Sequence, residues 1–333
     1  MDTGFVILLV VIVLGLAFDF VNGFHDTANA IATVVATRVL SPIQAVLMSA
    51  ILNFAGAMAG TAVATTVGKG IVEPGAVTQQ LVISALLSAI VWDLVTWYYG
   101  IPSSSSHALV FSIVGAGLAT GGPAVIVWSG IEKVLIGLVT SPVLGLVVAF
   151  LFMLAMLHMF FKAHPAFVSS FFGRAQLASS MYMAYSHGGN DAQKTMGVIT
   201  MSLAAYYGWS GDDWEVPTWV VTAAASAMAL GTASGGWRII KTMGHKIVNL
   251  KPIHGFAAET TAATIIEIAS RLGIPISTTH VISAAIIGVG ATGNRRAVRW
   301  GVAGNIVTAW VVTIPACIAM GWLFSVITHA IIP

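Results

Sequence analysis

Apolar runs of membrane-crossing length recur along the chain, each ended by a short polar or glycine-rich step. Phe5 to Phe20 is apolar apart from Asp19, and residues 4–22 together are long enough to span a bilayer. A turn is expected at Asn22-Gly23. A helix over 25–37 would then place Asp26, Asn29, Ala30 and Thr33 on one face. Arg38 and the Leu40-Ser41-Pro42 step end it. Ile43 to Val63 reads as the next span, and Lys69 and Glu73 mark a loop. Val77 to Tyr99 is a further span whose Trp92, Trp97, Tyr98 and Tyr99 suit the headgroup level. Asp19 near the end of its run fits an interfacial place, whereas Asp93 either pairs inside the bundle or sits at an interface. After Gly100-Ile101-Pro102 and the serines 103–106, the apolar stretch to about Leu118 is short for a crossing, so a re-entrant or broken helix is expected. Ile131 to Phe161 is a long span, tilted or broken near Ser141-Pro142. A polar joint covers 162–178.

The second half repeats this plan. Ala175 to Ser186 leads into a polar motif, and the chain then stays apolar to Tyr207. Asp212, Asp213 and Glu215 make an acidic loop. Val216 to Leu230 is a span broken at Gly235-Gly236, and Arg238, Lys241, Lys246 and Lys251 belong at an aqueous surface. Gly255 to Ala269 is apolar around Glu259 and Glu267. A short helix follows Ser277, and Trp300 to Ile327 closes the bundle. Residues 1–161 are expected to form an N-terminal transmembrane repeat, 162–174 a short connecting loop facing the cytoplasm, and 175–333 a C-terminal transmembrane repeat.

Composition removes the alternatives to a membrane protein. Hydrophobic residues make up 57% of the chain and charged residues 8%, against about 25% charged in soluble domains. The net charge of +2 is scattered through loops and gives no stripe for nucleic acid. A single cysteine, Cys317, excludes a disulfide framework and a cysteine metal site. No basic stretch or small-residue cleavage site precedes the first motif, so the first run is expected to be retained. No His-Glu-x-x-His metalloprotease motif occurs.

The chemistry lies in two pairs of matching segments. Gly23-Phe24-His25-Asp26-Thr27-Ala28-Asn29-Ala30 returns, altered, as Gly188-Gly189-Asn190-Asp191-Ala192-Gln193-Lys194-Thr195. Gly100-Ile101-Pro102 through Ser103, Ser104, Ser105, Ser106 and His107 returns as Gly273-Ile274-Pro275 through Ser277, Thr278, Thr279 and His280. Acids flanked by lipid-facing sequence are costly and mark function. Their recurrence at matching places in two halves describes one central site at the interface of inverted repeats. Hydrogen bonding between helices could be served by hydroxyls alone, which leaves two acids, a lysine and an imidazole unexplained. The Ser/Thr clusters open helices, where free N–H groups, the helix dipole and added hydroxyls suit a small oxyanion. Asp26 and Asp191 instead fit a coordinated cation with Asn29 and Asn190, or carry a coupling proton, which His25 is suited to share. Lys194 either neutralises an acid or attracts the anion.

These motifs resemble the inorganic phosphate transporter (PiT) family over nearly the whole chain. The resemblance implies an all-α, polytopic integral membrane protein with inverted-topology repeats and broken or re-entrant helices, about nine to twelve helical segments in all. It implies phosphate symport and no enzymatic activity. His25, Asp26, Asn29, Asn190, Asp191 and Lys194 would serve the coupling cation or proton. Ser104, Ser105, Ser106, Thr278 and Thr279 would hold phosphate, supported by Thr33, His107, Ser277 and His280. The His25 form of the first signature is similar to bacterial low-affinity, proton-coupled members, which take phosphate as a complex with a divalent metal such as Mg2+. Sodium-coupled members commonly have Asn there, and a few relatives move sulfate; sodium coupling and other oxyanions therefore stay open. No resident cofactor is implied. The expected partners are inorganic phosphate, H+ or Na+ and the lipid bilayer, in a bacterial inner membrane, with a homodimer left open.

Overall fold

The computed structural model describes residues 2–209, 214–293 and 295–331. The acidic loop expected at Asp212 and Asp213 lies outside the described residues, as does the Arg295 side chain. Twelve α-helices occur among the described residues. The first six are α1 (Thr3–Ala36), α2 (Pro42–Ala57), α3 (Ala62–Gly70), α4 (Gln79–Tyr99), α5 (Ser105–Gly121) and α6 (Trp128–Met159). The second six are α7 (Pro165–Tyr207), α8 (Thr218–Ser234), α9 (Trp237–Lys241), α10 (Pro252–Arg271), α11 (Thr278–Ala291) and α12 (Trp300–Ile331). Helices α1, α4, α6 and α12 are long and apolar enough to cross a membrane, as is the stretch Ser105–Val125 that α5 opens, and α2 with α3 forms a span bent by 70° at its break. The protein is therefore a multi-pass protein of the cell membrane.

Its two series of helices pack by a common rule. Helix α1 lies against α8 as α7 lies against α2, and α12 covers α5 as α6 covers α11. Glycines make the rule visible. A Cβ on Gly231 would strike the Phe20 carbonyl, and one on Gly56 would strike that of Tyr185. Gly23 and Gly188 meet the carbonyls of Met228 and Asn53 in the same way. Phe20 and Tyr185 stand at the offset that separates Asp26 from Asp191. Helices α1 and α7 themselves run antiparallel, since Gly4 faces Tyr206 while Gly15 faces Ile199. Matching elements with opposed directions are inverted repeats.

Each series also contains a short helix that other helices enclose over most of its length. Helix α5 has 17 residues and rises about 25 Å, and α11 has 14 and rises about 21 Å, both less than the roughly 30 Å hydrocarbon layer. Every residue of Ser105–Gly117 and of Thr278–Gly290 is buried. The long α6 and α12 take the lipid-facing role instead, exposing Val139, Val143, Val307 and Val311 among others. Before α5 and α11, Gly100 at φ +66 and Gly273 at φ +67 turn the chain in the left-handed region, where a side chain would be strained.

Several expected boundaries differ. No turn occurs at Asn22-Gly23, because α1 continues through both. A helix interior keeps its backbone hydrogen bonds where water is absent, and Gly23 serves the contact with α8. Helix α6 likewise runs through Pro142. The connection expected at 162–174 is shorter, because Pro165 starts α7 at its first helical position. The span expected over Ile43 to Val63 is the bent α2–α3 pair, and Lys69 lies in α3 rather than a loop. Asp19 is fully buried, not interfacial, and so is Asp93.

Candidate transport site

The centre of the bundle is where α1 and α7 cross between the tips of α5 and α11. Ser104 and Ser277 cap the two short helices, each accepting a hydrogen bond from the backbone N–H of the histidine three residues on, His107 or His280. Capping points the first-turn N–H groups and the hydroxyls that follow toward the crossing. The tips meet: the His107 and His280 rings stand 4.8 Å apart. Trp310 of α12 locks both, stacking on His280 at 3.9 Å and donating to the Pro102 carbonyl at 3.2 Å.

Hydroxyls from the tips join acids from the crossing helices. Thr279 donates to Asp26 at 3.3 Å and accepts from the Asn29 amide at 2.9 Å. Thr278 donates to Asp191 at 3.0 Å and also accepts from Asn29. On the other tip, Ser105 lies 3.5 Å from Asp26. The Lys194 ammonium donates to Ser106 at 2.5 Å and pairs with Asp191. Each tip therefore touches residues of both crossing helices. All these side chains are buried, Lys194 at 2% exposure.

His25 stands beside Asp26 with Nδ1 at 2.5 Å from its carboxylate and Nε2 at 3.0 Å from Thr96. Asp93, one turn before Thr96 on α4, faces the same group of side chains, and neither of its oxygens has a hydrogen-bond partner. His187 completes the centre, its Nε2 3.2 Å from Asp191 and its Nδ1 3.1 Å from Asn53. Asp26, His187 and Asp191 bring one ligand atom each within 4.8 Å of one another. The side-chain oxygens of Asn29 and Asn190 are buried without partners, while the Asn190 amide is tied to Ser270. Carboxylates with free amide oxygens are hard donors that suit a small cation.

Of the residues singled out in the sequence, His25, Asp26, Asn29, Asp191, Lys194, Ser105, Ser106, Thr278 and Thr279 meet in one network. Asn190 adjoins it on α7, and Ser104 and Ser277 frame it as caps. Thr33 does not belong: its hydroxyl donates to Glu259 of α10 at 2.5 Å, further along α1. His187 was missed, although its i,i+4 spacing to Asp191 on a helix places both on one face. A cleft of about 410 Å3 is lined by Gly56, Tyr185, Gly189, Gln193, Ser270 and Arg271 among others, and its Ser270 accepts a hydrogen bond from the Asn190 amide.

Comparison with known proteins agrees with this arrangement. A probable low-affinity inorganic phosphate transporter of Rhizobium meliloti is 51% identical over 313 residues, covering 94% of this chain and 93% of the relative. One of Bacillus subtilis is 44% identical over 324 residues, covering 96% and 97%. A solved structure, described as the sodium-dependent phosphate transporter, superposes with a TM-score of 0.88 at 28% identity, covering 98% of this chain and all of that one. The profile of the phosphate transporter family matches residues 22–321, and the chain, with the repeats and the crossed-helix centre described above, belongs to that family.

Proposed function

We propose that this chain moves inorganic phosphate across the cell membrane by cation symport, with sodium as the coupling ion. The observation that carries this reading is the interleaving of two chemistries at one crossing. Helix tips rich in N–H and O–H donors face carboxylates and unpartnered amide oxygens. Phosphate is received by the first turns of α5 and α11 with Ser105, Ser106, Thr278 and Thr279, and the Lys194 ammonium offsets part of its charge. Sodium lies against Asp26, Asn29, Asn190 and Asp191. A carboxylate left without its cation keeps an uncompensated charge in the membrane interior, so the half-loaded carrier crosses poorly. That penalty couples the two cargoes. The structural likeness to a sodium-dependent phosphate transporter supports the choice of ion.

Proton coupling is the second reading, favoured by the 2.5 Å contact of His25 with Asp26, an imidazole–carboxylate pair suited to sharing a proton at the same place. Phosphate would then enter as a neutral metal complex. Initial phosphate uptake into proteoliposomes, measured against separately imposed sodium and proton gradients at fixed membrane potential with magnesium varied, decides. Uptake is expected to follow sodium. Uptake that follows the proton gradient and ignores sodium replaces the first reading with the second, and preference for sulfate over phosphate overturns both.

A further inference from the structure

The two repeats part company where a glycine break in one helix meets a crossing helix. In the first repeat the break between α2 and α3 includes Gly60, where an added Cβ would meet nothing nearer than the Gln193 amide at 3.8 Å. The break stands off α7, and the gap is the cleft lined by Gly60, Ala62, Gly189 and Ser270 among others. In the second repeat α8 and α9 part at Gly235-Gly236, and a Cβ on Gly236 would strike the Phe24 carbonyl of α1 at 2.2 Å. Gly60 is exposed, whereas Gly236 is buried. Side chains follow the same division. The offset that matches Asp26 with Asp191 puts Phe24 where Gly189 stands, and the one that matches Gly100 with Gly273 puts Trp97 where Ser270 stands. Thr66 and Thr242 donate alike to the Gly273 and Gly100 carbonyls, and their register puts Arg238 where Ala62 stands. Phe24 and Trp97 pack edge to face with ring centres 5.3 Å apart, and Phe20 closes on Phe24 at 5.8 Å. The Arg238 guanidinium lies 5.7 Å from the Trp97 ring and 4.8 Å from the Tyr98 ring, and it donates to the Tyr98 carbonyl. Both places adjoin the centre. Phe24 precedes His25, and Trp97 follows Thr96, which His25 contacts. Ser270 in the cleft accepts from Asn190.

We propose that cleft and plug are the two positions of one gate. The cleft at Gly60 is the phosphate entrance, open on one face of the membrane, and Phe24, Trp97 and Arg238 shut the equivalent entrance on the other face. As a gate for phosphate it rests on the transport reading above. Inversion places the two on opposite faces, and a carrier open at both would dissipate the gradient that drives it. Gly60, Ala62 and Gly189 carry little or no side chain, so α2–α3 can settle backbone to backbone on α7 as Gly236 does on α1. Exchanging the two packings closes one face as it opens the other. The plug is suited to a moving part. Its ring and cation contacts are individually weak, and together they exclude water from the His25 side of the centre.

Labelling of the full-length chain with impermeant thiol reagents, in membrane vesicles of defined orientation, tests it, with the buried Cys317 silent. Gly60→Cys reports the cleft. Ala28→Cys reports the space beneath the plug, because Ala28 is buried one turn beyond Phe24, at the place that Gln193 holds in the cleft. Gly60→Cys is expected to react readily from one face and Ala28→Cys slowly from the other. Adding Phe24→Ala is expected to speed the Ala28→Cys reaction about tenfold. Attaching a bulky maleimide to Gly60→Cys beforehand wedges the cleft open and is expected to cancel that gain, read by mass spectrometry of the doubly substituted chain. A gain that survives the wedge is only the hole left by a missing ring, and it overturns the gate; so does an Ala28→Cys rate that Phe24→Ala leaves unchanged. Should Phe24→Ala not be recovered folded, Arg238→Gln decides, with an expected gain of about threefold that the wedge cancels. An unchanged rate, or a gain that the wedge spares, then overturns the gate. Labelling as expected in a chain that takes up no phosphate overturns the transport reading and leaves the gate standing.

Discussion

Lys194 and Asp191 form a buried ion pair that is worth more intact than either half alone. Removing one partner of such a pair strands a charge and costs about 3–5 kcal/mol. Lys194→Met is therefore expected to lower the thermal stability of the detergent-purified protein strongly. Lys194→Met with Asp191→Asn should regain most of that stability but transport no phosphate. A double variant as unstable as the single one would show that the pair is not the source of the loss. At the tips, Ser105→Ala or Thr278→Ala removes a hydroxyl donor worth roughly 1.5–3 kcal/mol to a charged ligand. Phosphate binding should weaken about 10- to 100-fold, as read by equilibrium dialysis. Unchanged binding in both variants and in their combination would displace the anion from this place. Much of this centre is legible in sequence, because Asp26, Asp191 and Lys194 are conspicuous in an apolar chain. Asp93 and Asp19 are not, since burial inside a bundle and placement at a headgroup look alike when every neighbour is apolar. His187 is hidden for another reason: a lone histidine beside Gly188-Gly189 carries no signal until the helix face it shares with Asp191 is considered.

The helices are held at their crossings by glycines whose missing side chains let backbones touch. Gly56→Ala and Gly231→Ala each place a methyl group against a carbonyl of the opposing helix, Tyr185 or Phe20. Overpacking of this kind costs about 1–3 kcal/mol or more. Gly304→Ala on α12 meets nothing within 4 Å and is expected to leave the melting temperature unchanged or raised. Equal melting of all three variants would remove the crossings as determinants of the fold. These crossings explain where reading the chain in order goes astray. Asn22-Gly23 and Pro142 look like breaks because in water a glycine or proline frees the backbone to find other partners. In a bundle surrounded by lipid the helix persists, and the glycine marks a contact instead of a turn. The re-entrant elements are legible for the opposite reason: Gly100-Ile101-Pro102 and Gly273-Ile274-Pro275 combine a left-handed turn with a proline and a cap, and no uninterrupted helix accommodates all three.

At the scale of the molecule, inversion predicts that equivalent loops lie on opposite faces of the membrane. Lys69 at the end of α3 and Lys246 at the end of the π-helical turn Thr242–Lys246 are both exposed. Cysteines at these positions are expected to react with an impermeant reagent from opposite sides, with the buried Cys317 silent in the background. Labelling of both from one side would defeat the inversion. The mutual covering of α5 by α12 and of α11 by α6 has a consequence for biosynthesis. During translation, α5 and its hydroxyl-rich tip leave the ribosome long before α12, the last helix of the described chain. Throughout that interval α5 lacks the wall that separates it from lipid, and Pro102 lacks its bond from Trp310. The first repeat therefore cannot mature alone. Nascent chains halted before Trp300 should remain sensitive to membrane proteases at the Gly100–His107 tip, and the transport centre closes only as the final helix partitions into the bilayer.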